Sequence, residues 1–334
     1  MKIVAANMLG KREFVARLSA RFGVTSALEI LPKRRQLLIL NYHRIGDPAK
    51  TPYDSGTFSA SAEEFDQQIA CLKRRYHMAT LEEALGGERG VLITFDDGYL
   101  DNYKEAFPVL KSHGVQAVFF LPTAFVGTGK IPWWDSIAYI LKHSRNRRIQ
   151  LAYPEKAEYD LEPALGVIEQ VLATAKRSEV STDLLIADLE RACDCPRPAA
   201  GAERCFLSWE EAREMQAAGM AFGSHTHTHE ILSKLSNEKQ MEELKTSREI
   251  MERELGQPIR TLAYPVGAPS TFSASTMDAA ERAGYVAAFS FFGGINTPGR
   301  MERFNIRRVG VASPSIARLR LQTALMALTG SVWF

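Results

Sequence analysis

Four cysteines, Cys71, Cys193, Cys195 and Cys205, are all that the 334 residues contain. They are too few and too unevenly placed for a disulfide framework, and Cys193-x-Cys195 lacks the two-residue gap of a zinc ribbon. They read as free thiols of a reducing compartment. No apolar run reaches the roughly twenty residues needed to span a bilayer. A strong charge of one sign is also missing: the net charge is +2, which argues against a nucleic-acid binder driven by phosphate neutralisation. Internal repeats and low-complexity tracts are absent. The apolar start of the chain is broken by charges from Lys11 onward before a secretory core can form, so a cytoplasmic protein is expected.

What remains is a sequence 46% hydrophobic and 24% charged, enough to bury one large core or two modest ones. Residues 1–35 form an N-terminal segment read as an amphipathic helix with Phe14, Leu18 and Phe22 on one face. Residues 313–334 end in the short apolar tail "LQTALMALTGSVWF". It is expected to pack on the body, with peripheral contact with the inner membrane face as the alternative. Between them, from residue 36, strand-like and helix-like stretches alternate. "QLLILNYH", "VLITFDD", "QAVFFLP", "MAFGSHTHTH", "IRTLAYPVG", "YVAAFSF" and "FNIRRVGV" are the strand-like runs. "SAEEFDQQIACLKRRY" and "LSWEEAREMQAAG" are helices opened by capping boxes, Ser61 with Glu64 and Ser208 with Glu211. This order implies a parallel sheet with helices outside, in an open sheet or a barrel. The pattern breaks at a long, mostly helical insertion, about 123–205, which Trp133, Trp134 and Asp135 open.

In parallel α/β folds, ligands sit outside the carboxyl ends of the strands. Two acids, Asp96 and Asp97, and three histidines, His225, His227 and His229, collect there, together with His43, Tyr264, Pro265, Arg307 and Arg308. His225 and His229 are four residues apart, a spacing that puts both on one face of a helix or of an extended chain. Two neutral imidazoles and one carboxylate from another strand make a three-ligand site for a catalytic divalent metal. The second carboxylate of the pair then stays free to take a proton from water.

"TFDDGY", "GSHTHTH" and "AYPVG" resemble the first three motifs of the polysaccharide deacetylase family. "LNYHRIGD", "FDQQIACLKRRY", "YKEAFPVLKSHGVQAVFFLP" and "LSWEEAREMQAAGMAFGSHT" are similar to its exopolysaccharide-type branch, a likeness that covers roughly residues 36–312 apart from the insertion. The resemblance implies a distorted (β/α)7-type barrel and metal-dependent hydrolysis of an N-acyl group, most readily acetyl, on an amino sugar of a polysaccharide or glycolipid intermediate. It implies Asp97, His225 and His229 as metal ligands, Asp96 as general base, and the Val266 N–H, just after Tyr264 and Pro265, as oxyanion donor. Zn²⁺ suits the ligand set, with Co, Fe, Ni or Mn also compatible. Thr94, Thr226 and Thr228 read as hydrogen-bonding support. His227 alternates to the other side of the chain.

Two positions depart from the family pattern. The arginine that usually pairs with the catalytic Asp is Ala263, and Arg307 or Arg308 is the candidate replacement. No histidine follows His229, so the usual late general acid is missing, and His43 is proposed in its place. Trp133 and Trp134 stand where aromatic faces can stack on a sugar. Deformylation of an amino sugar and opening of a cyclic amide are alternatives on the same site. A non-catalytic carbohydrate-binding protein on a degenerate deacetylase fold is the alternative of another class.

Overall fold

The computed structural model describes residues 2–30, 36–162, 164–177, 179–199, 201, 204–311 and 315–329. Apolar runs bounded by turn residues become the strands β1 (Leu37–Tyr42), β2 (Gly90–Phe95), β3 (Ala117–Leu121), β4 (Ala221–Ser224), β5 (Thr261–Ala263), β6 (Ala287–Phe289) and β7 (Val309–Gly310). They form one parallel sheet in the order β6-β5-β4-β3-β2-β1-β7. Leu37 to Tyr42 pair in register with Gly90 to Phe95, and Val309 and Gly310 pair with Leu40 and Asn41. Ile306, just before β7, bridges Phe289 of β6, so the curled sheet brings its two edges together as a distorted (β/α) barrel.

Alternation along the strands sorts the core into two layers. Leu37, Ile39, Leu92, Val118, Phe120 and Phe289 pack together inside the curled sheet. The residues between them, such as Leu38, Leu40, Ile93 and Phe119, pack outward against the surrounding helices. The helices are α1 (Lys2–Arg21), α2 (Val24–Ile30), α3 (Ala62–Arg75), α4 (Phe107–His113), α5 (Trp133–Lys142), α6 (Ala164–Ala175), α7 (Thr182–Cys193), α8 (Trp209–Ala217), α9 (Asn237–Leu255), α10 (Ala274–Arg282) and α11 (Ile316–Thr329), of which α3, α4, α8, α9, α10 and α11 meet this outward layer, beside shorter turns. Both expected capping boxes form, at Ser61 with Glu64 and at Ser208 with Glu211.

The insertion builds its own apolar cluster from α5, α6 and α7, with Ile137, Leu141, Ile168, Val171, Leu185 and Leu189 buried. It is less helical than the sequence suggested. Arg148–Leu151 and Ala157–Asp160 form an antiparallel hairpin, in which alternation buries Ile149 and Leu151. All four cysteines are buried, and none forms a disulfide among the described residues. Helix α11 packs against α1, α2 and α3, burying Leu319, Leu321 and Met326, while residues 330–334 of the apolar tail lie outside the described residues. The apolar face of α1 differs from the usual helix: Phe14, Leu18 and Phe22 share a side, and that side is exposed. No helix among the described residues is long and apolar enough to cross a membrane.

Candidate active site

The carboxyl end of β2 delivers both aspartates, by two different means. Alternation places Asp96 on the same side as Leu92, inside the barrel. Asp97 should then face away, but its φ of +72° turns the chain back, and Gly98 follows at φ +66°. A side chain at 98 would be strained by that left-handed backbone and would also put a Cβ 2.5 Å from Leu121 Cδ2, forcing Leu121 to move. The adjacent acids therefore converge.

Asp96 is buried but thoroughly paired. Arg308, fully buried, donates from Nη1 to Oδ1 at 2.6 Å and from Nη2 to Oδ2 at 2.8 Å. Asn41 Nδ2 donates to Oδ2 at 3.1 Å. Asn41 Oδ1 in turn accepts from Arg308 Nη1 (2.8 Å) and from Thr94 Oγ1 (2.6 Å), and Arg308 Nε donates to the Ser290 carbonyl. Burial pushes the Asp96 carboxyl up, but Arg308, with His225 and His43, outweighs it and holds it well below the usual carboxylate range. Arg307 faces elsewhere, its guanidinium 5.3 Å from the Phe292 ring centre. Asn41 is the member of this network that the sequence reading missed, although it shares the inward parity of Leu37 and Ile39.

Asp97 has the opposite environment. Its Oδ1 accepts no hydrogen bond and lies 3.5 Å from His225 Nε2 and 3.4 Å from His229 Nε2. Burial, then the neighbouring Asp96 and Asp135 charges, push its carboxyl well above the usual range. Burial likewise holds both imidazoles neutral-prone, below the usual histidine range. His225 donates from Nδ1 to the Ala263 carbonyl at 2.7 Å, so its Nε2 lone pair faces Asp97. His229 Nδ1 is buried without a partner, and the ring packs 4.3 Å from that of Trp134.

Neither helix nor strand presents these histidines. Residues 225–229 are a loop with Thr226 at φ +66° and His229 at φ +59°. Thr226 Oγ1 accepts from His229 N, and Glu243 of α9 accepts from His227 N, Thr228 N and Thr228 Oγ1 at 2.7 to 2.9 Å. Glu243 is a second residue the sequence reading missed. His227 points to the far side, with Nδ1 2.8 Å from Thr123 Oγ1. Val266 completes a concentration of left-handed backbone. Four of the five non-glycine residues with positive φ among the described residues are Asp97, Thr226, His229 and Val266. Such conformations cost about 1–3 kcal/mol each and gather at functional sites.

A cavity of about 130 Å³ opens over these groups, lined among others by His43, Val266, Phe291, Trp133, Leu172 and Lys176. The Val266 N–H donates to no group among the described residues. Its loop is held by the Phe291 N–H donating to the Gly267 carbonyl at 2.7 Å. His43 Nε2 stands 4.0 Å from Asp96 Oδ2, and burial, opposed by Asp96, lowers its pKa to about 4. The structure does not bring Tyr264 or Pro265 to this wall: Tyr264 is buried, its hydroxyl donating to the Phe304 carbonyl and its ring stacked on Phe272. Trp134 is also no open platform, since its Nε1 donates to the Tyr99 hydroxyl and it lies beneath His229; Trp133 is the more exposed of the pair.

The Asp97, His225 and His229 ligand atoms lie within 4.8 Å of one another, and all three residues are buried. An unhydrogen-bonded carboxylate oxygen and two imidazole nitrogens face one another there, and Lys176 and Arg308 offset the charge of Asp97 without donating a hydrogen bond to that oxygen, so a cation among the three is favoured. The donor set fits a divalent transition metal.

Fold and site thus define a (β/α) barrel with an Asp-His-His cluster at the carboxyl end of its strands. Residues 86–288 match the polysaccharide deacetylase family, and the chain belongs to it. YxkH of Bacillus subtilis (strain 168) is 25% identical over 272 residues, 78% of this chain, and the chain spans 66% of that relative's length. Among solved structures, the Streptococcus pyogenes deacetylase PplD in complex with acetate is 19% identical, with a TM-score of 0.56 over 88% of this chain and 99% of its own. IcaB from Ammonifex degensii is 22% identical, with a TM-score of 0.56 over 87% and 98%.

Proposed function

We propose that the chain hydrolyses the N-acetyl group of an amino sugar, with Asp97, His225 and His229 holding a divalent cation, most readily Zn²⁺. The observation that carries this reading is the division of labour between adjacent acids: Asp97 unpaired among imidazoles, Asp96 clamped beside it by Arg308. When bound, the cation supplies positive charge that acidifies water and stabilises negative charge on a carbonyl oxygen.

The chain's own groups then form a proton ladder. Asp96 takes the proton of the attacking water. Its carboxylate, held far on the acidic side by Arg308, is a poor place to keep a proton, and His43 lies 4.0 Å away. His43 is neutral near pH 7 and more basic than Asp96, so it accepts that proton. The leaving amine is more basic again, and His43 protonates it as the carbon–nitrogen bond breaks. The first transfer is uphill and is drawn forward by attack of the water on the carbonyl carbon; the two that follow each run towards the stronger base. The Val266 N–H donates to the oxyanion of the tetrahedral species. Trp133 lies between the catalytic cavity and a neighbouring one of about 450 Å³, which gives the rest of an oligosaccharide a place to extend.

Acetate and formate release from N-acetylated and N-formylated amino-sugar oligomers tests the reading. Acetate release by wild type, reduced about 10²- to 10⁴-fold in Asp96→Asn and in His43→Ala, is expected. Formate alone would move the substrate to a formamide. No release of either product, with sugar binding intact, would leave only a carbohydrate-binding protein.

A further inference from the structure

The N-terminal helices carry a surface that the hydrolytic reading does not use. Residues 1–35 hold eight lysines and arginines against two glutamates, a net +6 where the whole chain is +2, and the cations among them whose side chains are described are Lys11, Arg12, Arg17 and Arg21. Both glutamates are already paired. Glu29 is clamped by Arg75 (2.9 Å) and Arg320 (2.7 Å), and Glu13 pairs with Arg17 (2.6 Å). Lys11 and Arg21 make no ion pair among the described residues.

The apolar residues of this region are segregated from its buried ones. Ala16 and Thr25 are buried, whereas Phe14, Leu18, Phe22 and Ile30 are 65%, 42%, 71% and 83% exposed. Lys11, Phe14, Leu18, Arg21 and Phe22 follow the three-to-four spacing of one helix face, so the exposed stripe is bordered by unpaired cations at both ends. A partner protein of ordinary composition offers no reason for this pairing of large apolar groups with uncompensated positive charge. A surface that is apolar below and negative above satisfies both halves, with the rings entering the acyl boundary and Lys11 and Arg21 among the headgroups.

We infer that the exposed face of α1 and α2 docks the protein onto a lipid surface containing anionic phospholipid. Co-sedimentation of the full chain with vesicles of phosphatidylcholine alone, or of an equimolar mixture with phosphatidylglycerol, tests this without any reference to catalysis. Partition into the anionic vesicles should exceed that into neutral ones by at least about tenfold and fall as salt is raised. The combined change Phe14→Ser, Leu18→Ser and Phe22→Ser, and separately Lys11→Glu with Arg21→Glu, should each lower it at least about tenfold with the unfolding midpoint unchanged. Failure of wild type to sediment with anionic vesicles, or unchanged sedimentation of the charge-reversal variant, would overturn the proposal. A vesicle-free dimer that the serine variant converts to monomer would overturn it too, by naming a second copy of the chain as the occupant.

Discussion

Arg308, anchored on Asn41 Oδ1 and the Ser290 carbonyl, donates to both carboxylate oxygens of Asp96 and so sets its chemistry. A buried carboxylate without its guanidinium is an uncompensated charge, so Arg308→Met should cost about 3–5 kcal/mol in denaturant unfolding. Burial would then raise the Asp96 pKa, and any residual activity should appear only at higher pH than in wild type. Asp135 is the contrasting case. Burial pushes its pKa up from 3.8 to about 6 despite Arg44, the Asp54 N–H and the Tyr99 hydroxyl. The folded state therefore binds the proton more tightly than the unfolded one. Stability from this group is fully present below pH 3.8 and lost as pH rises through 6, on the order of 3 kcal/mol. Unfolding measured at both ends of that window should show Asp135→Asn gaining on wild type as pH rises; parallel curves would contradict it.

The loop 225–229 is the element on which the site depends, and it is fixed from outside by Glu243. Glu243→Ala removes three hydrogen bonds, leaving two loop N–H groups unpaired. Metal affinity should fall about 10- to 100-fold, measured by competition with a chromophoric chelator. The histidines and acids were legible because their residue types declare their chemistry in short motifs. Their geometry was not: the four-residue spacing suggested a shared face, whereas left-handed Thr226 and His229 bring the rings together. Asn41 and Glu243 stayed hidden because ordinary polar residues acquire their role only from partners 55 and 15 or 16 positions away. Arg308 was distinguishable from Arg307 only once the strand's inward parity was known. The hairpin at 148–160 escaped because a short, mostly polar alternation with a five-residue connection carries little signal of its own.

At the scale of the molecule, the alternating strands and helices made the barrel readable, since parallel pairing of successive strands leaves few topologies. The insertion gives the barrel mouth a wall, and Trp133→Ala should raise KM for oligosaccharides several-fold while leaving kcat nearly unchanged, because the sugar contact it removes is the same in the ground state and the transition state. The direct test of the whole account is a metal titration of acetate release. Protein stripped by a chelator should be inactive and regain activity with Zn²⁺ to a plateau at one ion per chain, and Asp97→Asn should regain little at that stoichiometry. Undiminished activity in the stripped protein, or full recovery in Asp97→Asn at one ion per chain, would contradict it.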